Sequence, residues 1–248
     1  YKRQPLMRGK HMSRPINEII QEAKHMASQG IKELILIAQE LTYYGIDIYK
    51  ERTLSKLLKK LCRIEGIEWI RLHYAYPSGF PDEIIDIIKS EKKICNYLDI
   101  PLQHISEKIL KSMRRGAGKN KINNLIAKIR KKIPGIALRT TLIVGYPGEK
   151  IEDFEELCEW IKQTKFDRLG CFTYSHEENT HAYSLEDDVS DQDKKLRQNT
   201  IMKIQSEISS RLNKEKIGKI IKCIIDRFED GYYIGCLLYT SPSPRDGL

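Results

Sequence analysis

ALRTTLIV, residues 137–144, is an apolar run long enough for a buried strand, and the turn-forming segment GYPGE, residues 145–149, follows it directly. A one-sided helical pattern comes next, with Phe154, Leu157 and Ile161 on one stripe. A strand, a short turn and an amphipathic helix in this order form the repeating unit of parallel α/β sheets. This stretch therefore predicts an α/β protein.

The same unit recurs on both sides of that stretch. Further strands are predicted at residues 33–38 (ELILIA), 69–74 (WIRLHY), 97–100 and 169–174, with amphipathic segments between them. The run at 33–38 is typical of a strand buried on both faces. Five strands rather than eight, and no GxGxxG after the first, favour a partial (β/α) barrel over a complete barrel or a dinucleotide-binding fold.

Two further elements are predicted beyond this barrel. Residues 191–216 form a long polar helix, and residues 219–227 read as a strand that opens a small β module. The helix carries one predicted apolar stripe, made of Leu196, Thr200, Ile204, Ile208 and Leu212.

Charge and hydropathy bear on whether the protein binds nucleic acid, spans a membrane or is secreted. A net charge of +9 would suit a polyanionic partner such as nucleic acid, but lysines interleaved with acids are more typical of solvated helices. No apolar run reaches the roughly 18 to 20 residues that cross a bilayer, and residues 1–12 lack a secretory stretch. We expect a cytoplasmic protein that does not associate with membranes.

The six cysteines do not form a ligand set. No two are closer than thirteen positions, so the sequence contains no CxxC pair and predicts no metal site of its own. Cys62, Cys158 and Cys171 lie in apolar patterns and are expected to be buried thiols rather than disulfide partners.

Polar residues follow every predicted strand. Because the carboxyl ends of parallel strands converge at one edge, these residues predict a binding site for a polar, nucleoside-like ligand. They are Gln39 and Glu40; Tyr74 and Tyr76; Gln103 and His104; Gly145, Tyr146 and Glu149; and Tyr174, Ser175 and His176.

Several of these positions have a structural alternative. Arg139 and Arg71 lie on strands, where a cation is expected to bind either a ligand or a structural carboxylate. Glu149 suits the start of a helix, and His104 suits a scaffold role because no acid stands beside it in sequence. Residues 114–116 (RRG) fit either a phosphate clamp or a helix end capped by glycine.

Six segments, in order, give the chain a more specific resemblance. They are RGKHMSRP (8–15), KELILIAQELTYYGID (32–47), WIRLHYAYP (69–77), YLDIPLQHISEKILKSMRRG (97–116), LRTTLIVGYPGE (138–149) and FTYSHEENTHAY (172–183). With these motifs the chain resembles the radical S-adenosylmethionine methylthiotransferases. IAQELTYYG and FTYSHEENT favour the RimO-type branch, which methylthiolates the β-carbon of an aspartate in small-subunit ribosomal protein twelve.

The resemblance implies the cofactors and their site. Enzymes of this family use S-adenosylmethionine and two 4Fe-4S clusters, one of which is held by a CxxxCxxC motif. A 5'-deoxyadenosyl radical removes hydrogen from the target carbon, so no acid–base triad is expected. By analogy, Gln39, Glu40, Gln103, Arg139 and Gly145 are assigned to the S-adenosylmethionine pocket.

The chain departs from the family pattern at its start. The CxxxCxxC motif normally stands just before the segment that here reads PLMRGKH, and it does not occur in this sequence. We therefore expect a fragment that is inactive alone. The expected divisions are a non-native end (1–4), the partial barrel (5–190), a connecting helix (191–216), the start of an RNA-contacting TRAM-like module (217–235) and a non-native tail (236–248).

Three other functions stay open at this point. A MiaB-type enzyme that modifies tRNA adenosine would suit the basic charge, although the RimO-type motifs oppose it. A non-catalytic module that binds RNA or the ribosome would suit a chain without cluster cysteines. A phosphate-binding barrel enzyme predicts a glycine-rich loop after the late strands, which VGYPGE matches poorly.

Overall fold

The computed structural model describes residues 9, 11–38 and 40–237. The strands are β1 (Glu33–Leu36), β2 (Trp69–Leu72), β3 (Ile94–Asp99), β4 (Ala137–Val144), β5 (Arg168–Thr173), β6 (Cys223–Glu229) and β7 (Tyr232–Leu237). The helices are α1 (Ile16–Ser28), α2 (Ile46–Tyr49), α3 (Leu54–Leu61), α4 (Asp82–Ser90), α5 (Glu107–Ser112), α6 (Lys119–Lys132), α7 (Ile151–Thr164) and α8 (Asp191–Lys214).

The first five strands form one parallel sheet in the order β1-β2-β3-β4-β5. Each neighbouring pair is joined by a helical crossover, because parallel strands cannot be connected by a tight turn. The predicted α/β class with a five-stranded partial barrel is therefore confirmed. Strands β6 and β7 pair antiparallel as a separate hairpin, where the sequence predicted the start of a β module.

Burial of the helical stripes explains why these segments are helices. In α3, Leu54, Leu57, Leu58 and Leu61 are all buried in the main core cluster, while its lysines are exposed. The sheet contributes alternate residues to the same cluster, among them Leu34, Ile70, Leu138 and Leu142. Within the part of the chain that the structure describes, no helix is both long and apolar enough to span a bilayer.

The first strand differs from its prediction. Residues 33–38 were expected to be buried on both faces, but β1 ends at Leu36, and Ile35 and Ile37 are exposed. The physical reason is that β1 is an edge strand, so that its outward apolar side chains have no covering layer among the described residues. An apolar run without alternation does not reveal whether its strand is central or at an edge.

The long helix buries most of the predicted stripe together with polar residues beside it, since Ile208 is buried and Ile204 and Leu212 pack against the core. Its buried residues are Lys194, Ile201, Gln205 and Ile208, whereas Leu196 is 63% exposed. Two of the buried residues are polar. The Gln205 side chain donates to the carbonyl of Phe166 at 2.9 Å, and the Lys194 ammonium binds Asp187 at 2.6 Å. Apolar periodicity cannot identify a face that is buried through such hydrogen bonds.

Smaller differences concern element boundaries. β3 begins at Ile94 rather than at residue 97, β6 begins at Cys223 rather than at residue 219, and the segment after β1 adds a short 3-10 turn (Leu41–Tyr43) and α2. β7 extends to Leu237, past the boundary expected after residue 235. The expected non-native residues 1–4, and those after 237, lie outside the described residues.

The hairpin packs against the sheet at the amino-terminal ends of the strands. Ile224 contacts the buried cluster of Trp69, Cys95, Tyr97 and Ala137, and the Lys222 ammonium binds the Glu68 carboxylate at 2.9 Å. Arg71, whose side chain is fully buried, donates to the carbonyl of Leu237 at 3.3 Å. The opposite, carboxyl ends of the strands are the region where parallel α/β folds place their sites.

Candidate cofactor site

The ends of three adjacent strands carry residues with left-handed backbone conformation. Tyr74 follows β2 with φ 59°, Gln103 follows β3 with φ 76°, and Gly145 follows β4 with φ 73°. A residue other than glycine pays about 1 to 3 kcal/mol for this conformation, and such strain concentrates at functional sites. Tyr74 and Gln103 therefore carry backbone strain at the carboxyl edge of the sheet, where Gly145 adopts the same conformation without this cost.

Gln103 is held in place by its own backbone. Its amide donates to the carbonyl of Thr141 at 2.9 Å, and its carbonyl accepts from the amide of Ile143 at 2.8 Å. The side-chain oxygen Oε1 is buried and accepts no hydrogen bond from the described residues. A buried acceptor without a donor costs about 1 to 3 kcal/mol, so this atom suits a ligand hydroxyl such as that of a ribose.

The strain at Gln103 can be measured by comparing two truncations. Both Gln103→Gly and Gln103→Ala remove the amide, but only glycine relieves the left-handed backbone. We expect Gln103→Gly to be more stable than Gln103→Ala by about 1 kcal/mol in urea unfolding. Equal stabilities would contradict the assigned backbone conformation.

Arg139 lies beside a buried carboxylate on the neighbouring strand. Asp99 pairs with Arg139 in the β3–β4 register, and Arg139 Nη1 donates to Asp99 Oδ2 at 2.9 Å. His73 Nδ1 lies 3.7 Å from the same oxygen. Asp99 is fully buried, whereas the Arg139 side chain is 16% exposed. Asp99 is therefore the structural carboxylate that the sequence analysis offered as one of two possible partners of Arg139.

This ion pair is compatible with a ligand role for Arg139. A guanidinium carries five N–H donors in a fork that suits a carboxylate ligand. Arg71, the other arginine on a strand, binds a structural carboxylate and has no access to a ligand because its side chain is fully buried. Its Nε donates to Glu33 at 2.6 Å, and its guanidinium lies 4.9 Å from the centre of the Tyr97 ring. Arg71 is thus a structural cation that joins β1 and β2.

Glu40 has a clear structural role. Its Oε1 accepts from the amide and hydroxyl of Thr42, at 3.0 and 2.6 Å, and from the amide of Tyr76 at 3.3 Å. The carboxylate caps the 3-10 turn and joins the loops after β1 and β2. Gln39, the other predicted residue after β1, lies outside the described residues. The part of either residue in ligand binding remains a prediction.

The turn after β4 is tied to the long helix. Glu149 Oε2 accepts from the amides of Gly145 and Tyr146, at 2.8 and 3.3 Å, and Oε1 binds Arg197 of α8 at 2.7 Å. Burial raises the pKa of the Glu149 carboxyl, while Arg197 and the two amides act in the opposite direction. Glu149 is therefore more than an acid at a helix start, because it connects β4 to α8.

Gly145 is required at this turn for two reasons. Its φ of 73° disfavours other residues, and a Cβ there would lie 2.2 Å from Cγ of Lys194. Lys194 is itself fixed, since its ammonium binds Asp187 at 2.6 Å and its side chain is 5% exposed. The predicted ligand role of Gly145 stays untested, but its structural role is evident.

His104 is a buried scaffold residue. Its Nδ1 accepts from the amide of Ser106 at 2.9 Å, and its Nε2 lies 3.7 Å from Glu149 Oε2. The acid that the local sequence lacked is thus supplied by the turn after β4. Burial lowers the pKa of His104 from 6.5 to about 4, so the imidazole is neutral in the folded protein at neutral pH.

A neutral buried histidine makes stability depend on pH. The unfolded chain binds the His104 proton below pH 6.5, whereas the folded chain does so only near pH 4. Stability is therefore fully present above pH 6.5 and falls by about 3 kcal/mol between pH 6.5 and 4. His104→Asn, whose side-chain oxygen can still accept from Ser106, should flatten this slope in urea unfolding at graded pH. An unchanged slope in His104→Asn would assign the dependence to other groups.

The structure adds residues that the sequence did not identify. Asp99 and His73 accompany Arg139, while Lys194 and Arg197 reach the turn from α8. Asp99 lies within the predicted strand 97–100, but its pairing with Arg139 depends on the strand register, which the local sequence does not give. Nothing in the polar helix distinguishes Arg197. Among the described residues, no group of three or more His, Cys, Asp or Glu is placed to hold a metal ion.

Comparison with known proteins defines the family. A family model described as "Radical SAM superfamily" matches residues 2–161. The chain is 60% identical over 238 residues to "Ribosomal protein uS12 methylthiotransferase RimO" of Flavobacterium johnsoniae, and 59% identical to the protein of that name from Christiangramia forsetii. These alignments cover 96% of this chain but 54% and 53% of the relatives. The chain spans about half the length of the curated relatives it matches.

Solved structures agree on the fold. Coproporphyrinogen III oxidase (HemN) from Escherichia coli, titled a radical SAM enzyme, aligns with a TM-score of 0.58 and 20% identity over 80% of this chain and 45% of its own. The radical S-adenosylmethionine methyltransferase TsrM from Kitasatospora setae aligns with a TM-score of 0.52 and 18% identity, over 66% of this chain and 31% of its own. Because the family model spans more than half of the sequence, the chain belongs to the radical SAM superfamily, as its motifs indicated.

Proposed function

We propose that this chain is the central part of a methylthiotransferase that adds a methylthio group to the β-carbon of an aspartate in ribosomal protein uS12. The observation that carries the proposal is 60% identity across 96% of the chain to a curated protein of that name. Since the chain spans about half of that relative, the complete activity is assigned to the longer protein.

S-adenosylmethionine and two 4Fe-4S clusters are the cofactors of this proposal, and together they supply the radical and sulfur chemistry. The residues at the carboxyl edge fit the nucleoside part. The buried Gln103 Oε1 offers an acceptor for a ribose hydroxyl, and Arg139 offers a fork for the carboxylate of the methionine part. The cysteines of this chain are dispersed and do not fit a cluster.

The residues of the chain bind, orient and shield rather than transfer protons. Asp99 holds the Arg139 guanidinium, and Glu149 with Arg197 fixes the turn that follows β4. Such positioning is the protein's contribution when a cofactor carries the chemistry. The proposed substrate partner is uS12 in the cytoplasm, either free or assembled in the ribosome. The β6–β7 hairpin is proposed as an additional module that contacts RNA.

Mass spectrometry of uS12 tests the function. A chimaera carries the 238 matched residues of this chain in place of the corresponding part of the Flavobacterium johnsoniae relative. Expressed in a strain that lacks the relative, it should restore one methylthio group on an aspartate of uS12. The parental relative serves as the positive control, and the empty strain as the negative control.

The same samples test the alternative substrate. Digested tRNA from the chimaera strain should show no methylthioadenosine beyond that of the empty strain. Methylthiolation of tRNA without modification of uS12 would assign the chain to the tRNA branch and overturn the proposal.

A further inference from the structure

The turn between α5 and α6, residues 113–118 (MRRGAG), borders a cleft of about 550 Å³. The lining includes four cations, Lys111, Arg115, Lys119 and Lys121, and one acid, Glu107. Arg115 connects the cleft lining to the chain just after β3, since its guanidinium donates to the carbonyl of Pro101 at 2.7 Å. A ligand in the cleft would therefore lie near the carboxyl edge of the sheet.

The shape of the turn is fixed by specific contacts. The amide of Gly116 donates to the Tyr76 hydroxyl at 2.9 Å, and the Arg115 guanidinium lies 4.7 Å from the centre of the Tyr76 ring. Arg114 has φ 53°, a strained value for a residue with a side chain. A Cβ on Gly118 would lie 2.3 Å from Glu107 Oε1. Specific contacts therefore hold the turn in a defined conformation.

Glu107 binds a backbone amide at the start of α6. Its carboxylate accepts from the amide of Lys119 at 2.7 Å, so the helix end itself has a carboxylate partner. Any attraction of the cleft for an anion must therefore come from its cationic side chains.

The cations of the cleft differ from those elsewhere on the same helix. Lys128 and Lys132 of α6 bind Asp82 and Asp86, each at 2.5 Å. Lys111, Arg115 and Lys121 form no ion pair with a carboxylate in the described part of the chain, whereas Lys119 binds Glu156. The usual balance of a solvated face, with an acid beside each lysine, is thus only partly met around this cleft, where three of the four cations have no carboxylate in ion-pair range among the described residues.

An unbalanced cationic cleft suits a polyanion. Burial disfavours the charged Arg115 guanidinium, and a phosphate nearby would offset that cost. The cations are spread over the end of α5 and the start of α6 in an open cleft, which suits successive phosphates of a strand better than one enclosed phosphate group.

We propose that this cleft binds the phosphodiester backbone of RNA, placing an RNA strand beside the carboxyl edge of the sheet. This site is distinct from the β6–β7 hairpin and binds without reading bases. The inference goes beyond the methylthiotransferase proposal and does not depend on it, because RNA binding requires neither S-adenosylmethionine nor a cluster.

Salt-dependent RNA binding tests the proposal. Fluorescence anisotropy would measure binding of a labelled single-stranded oligoadenylate to the full 248-residue chain over a series of salt concentrations. The slope of log affinity against log salt concentration is negative. We expect its magnitude to be smaller by about 1.5 in the double variant K111Q/K121Q, because two phosphate contacts are lost. The matched control K59Q/K60Q changes the same charge on exposed positions of α3 and should keep most of the slope.

Each other outcome overturns the proposal. Wild-type chain that does not bind the oligonucleotide, or K111Q/K121Q that keeps the wild-type slope, shows that the cleft does not bind RNA. An equal loss in K59Q/K60Q shows a general charge effect. If inorganic phosphate binds in a manner sensitive to K111Q/K121Q and the oligonucleotide does not bind, the cleft is a site for a small phosphate compound.

Discussion

Gly145→Ala is expected to destabilise the protein by about 3 kcal/mol. The new methyl group would overlap Cγ of the buried Lys194, 2.2 Å away, and the backbone at φ 73° disfavours any residue with a Cβ. Overpacking costs about 1 to 3 kcal/mol and the left-handed backbone about 1 kcal/mol more. Urea unfolding of the chain measures the loss as a lower midpoint.

Gly148→Ala provides the matched control. Gly148 lies in the same turn with φ 80°, but a Cβ there would meet no atom within 4 Å. Its loss should be limited to about 1 kcal/mol, which is the backbone contribution alone. Equal losses at the two positions would show that Lys194 does not pack on Gly145 as described.

Arg197→Ala is expected to cost about 3 to 5 kcal/mol. The substitution removes the cation from Glu149, whose side chain is fully buried, and an uncompensated buried charge is strongly destabilising. The helix α8 would also lose a polar tie to the turn after β4. Thermal or urea unfolding at neutral pH measures this loss.

A double variant separates the charge from the packing. In Glu149→Gln/Arg197→Ala the amide oxygen can still accept from Gly145 and Tyr146, but no charge is buried. Most of the lost stability should return, as a thermodynamic cycle would show. A double variant as unstable as Arg197→Ala would mean that packing of the arginine, rather than its charge, supports the turn.

The sequence predicted the repeating units well because burial imposes a clear period. The stripe of α3 and the full length of β4 appear where the apolar pattern placed them. The pattern was less informative where polar groups are buried. Lys194, Gln205 and Arg197 of α8 face the barrel through ion pairs and hydrogen bonds, which have no periodic signature.

The sequence predicted where the candidate site lies, at the ends of the strands, but not which side chains contact one another there. The polar residues after the strands lie at the carboxyl edge of the sheet, where Gln103 and Gly145 take left-handed conformations, and their role in cofactor binding stays a prediction. The partners were not predictable, because Asp99 reaches Arg139 only through the pairing of two strands forty residues apart in sequence. Local sequence likewise gave no sign that Glu149 lies near His104 and binds Arg197.

Binding of S-adenosylmethionine tests the central claim most directly. The cluster-reconstituted chimaera, with the wild-type sequence or with Arg139→Ala, would be compared by equilibrium dialysis at equal cluster content. The account predicts that the wild-type chimaera binds and that Arg139→Ala binds about 10- to 100-fold more weakly, because a charge-assisted contact contributes about 1.5 to 3 kcal/mol. Equal affinities, or no binding by either protein, would contradict the assignment of the carboxyl edge as the cofactor site.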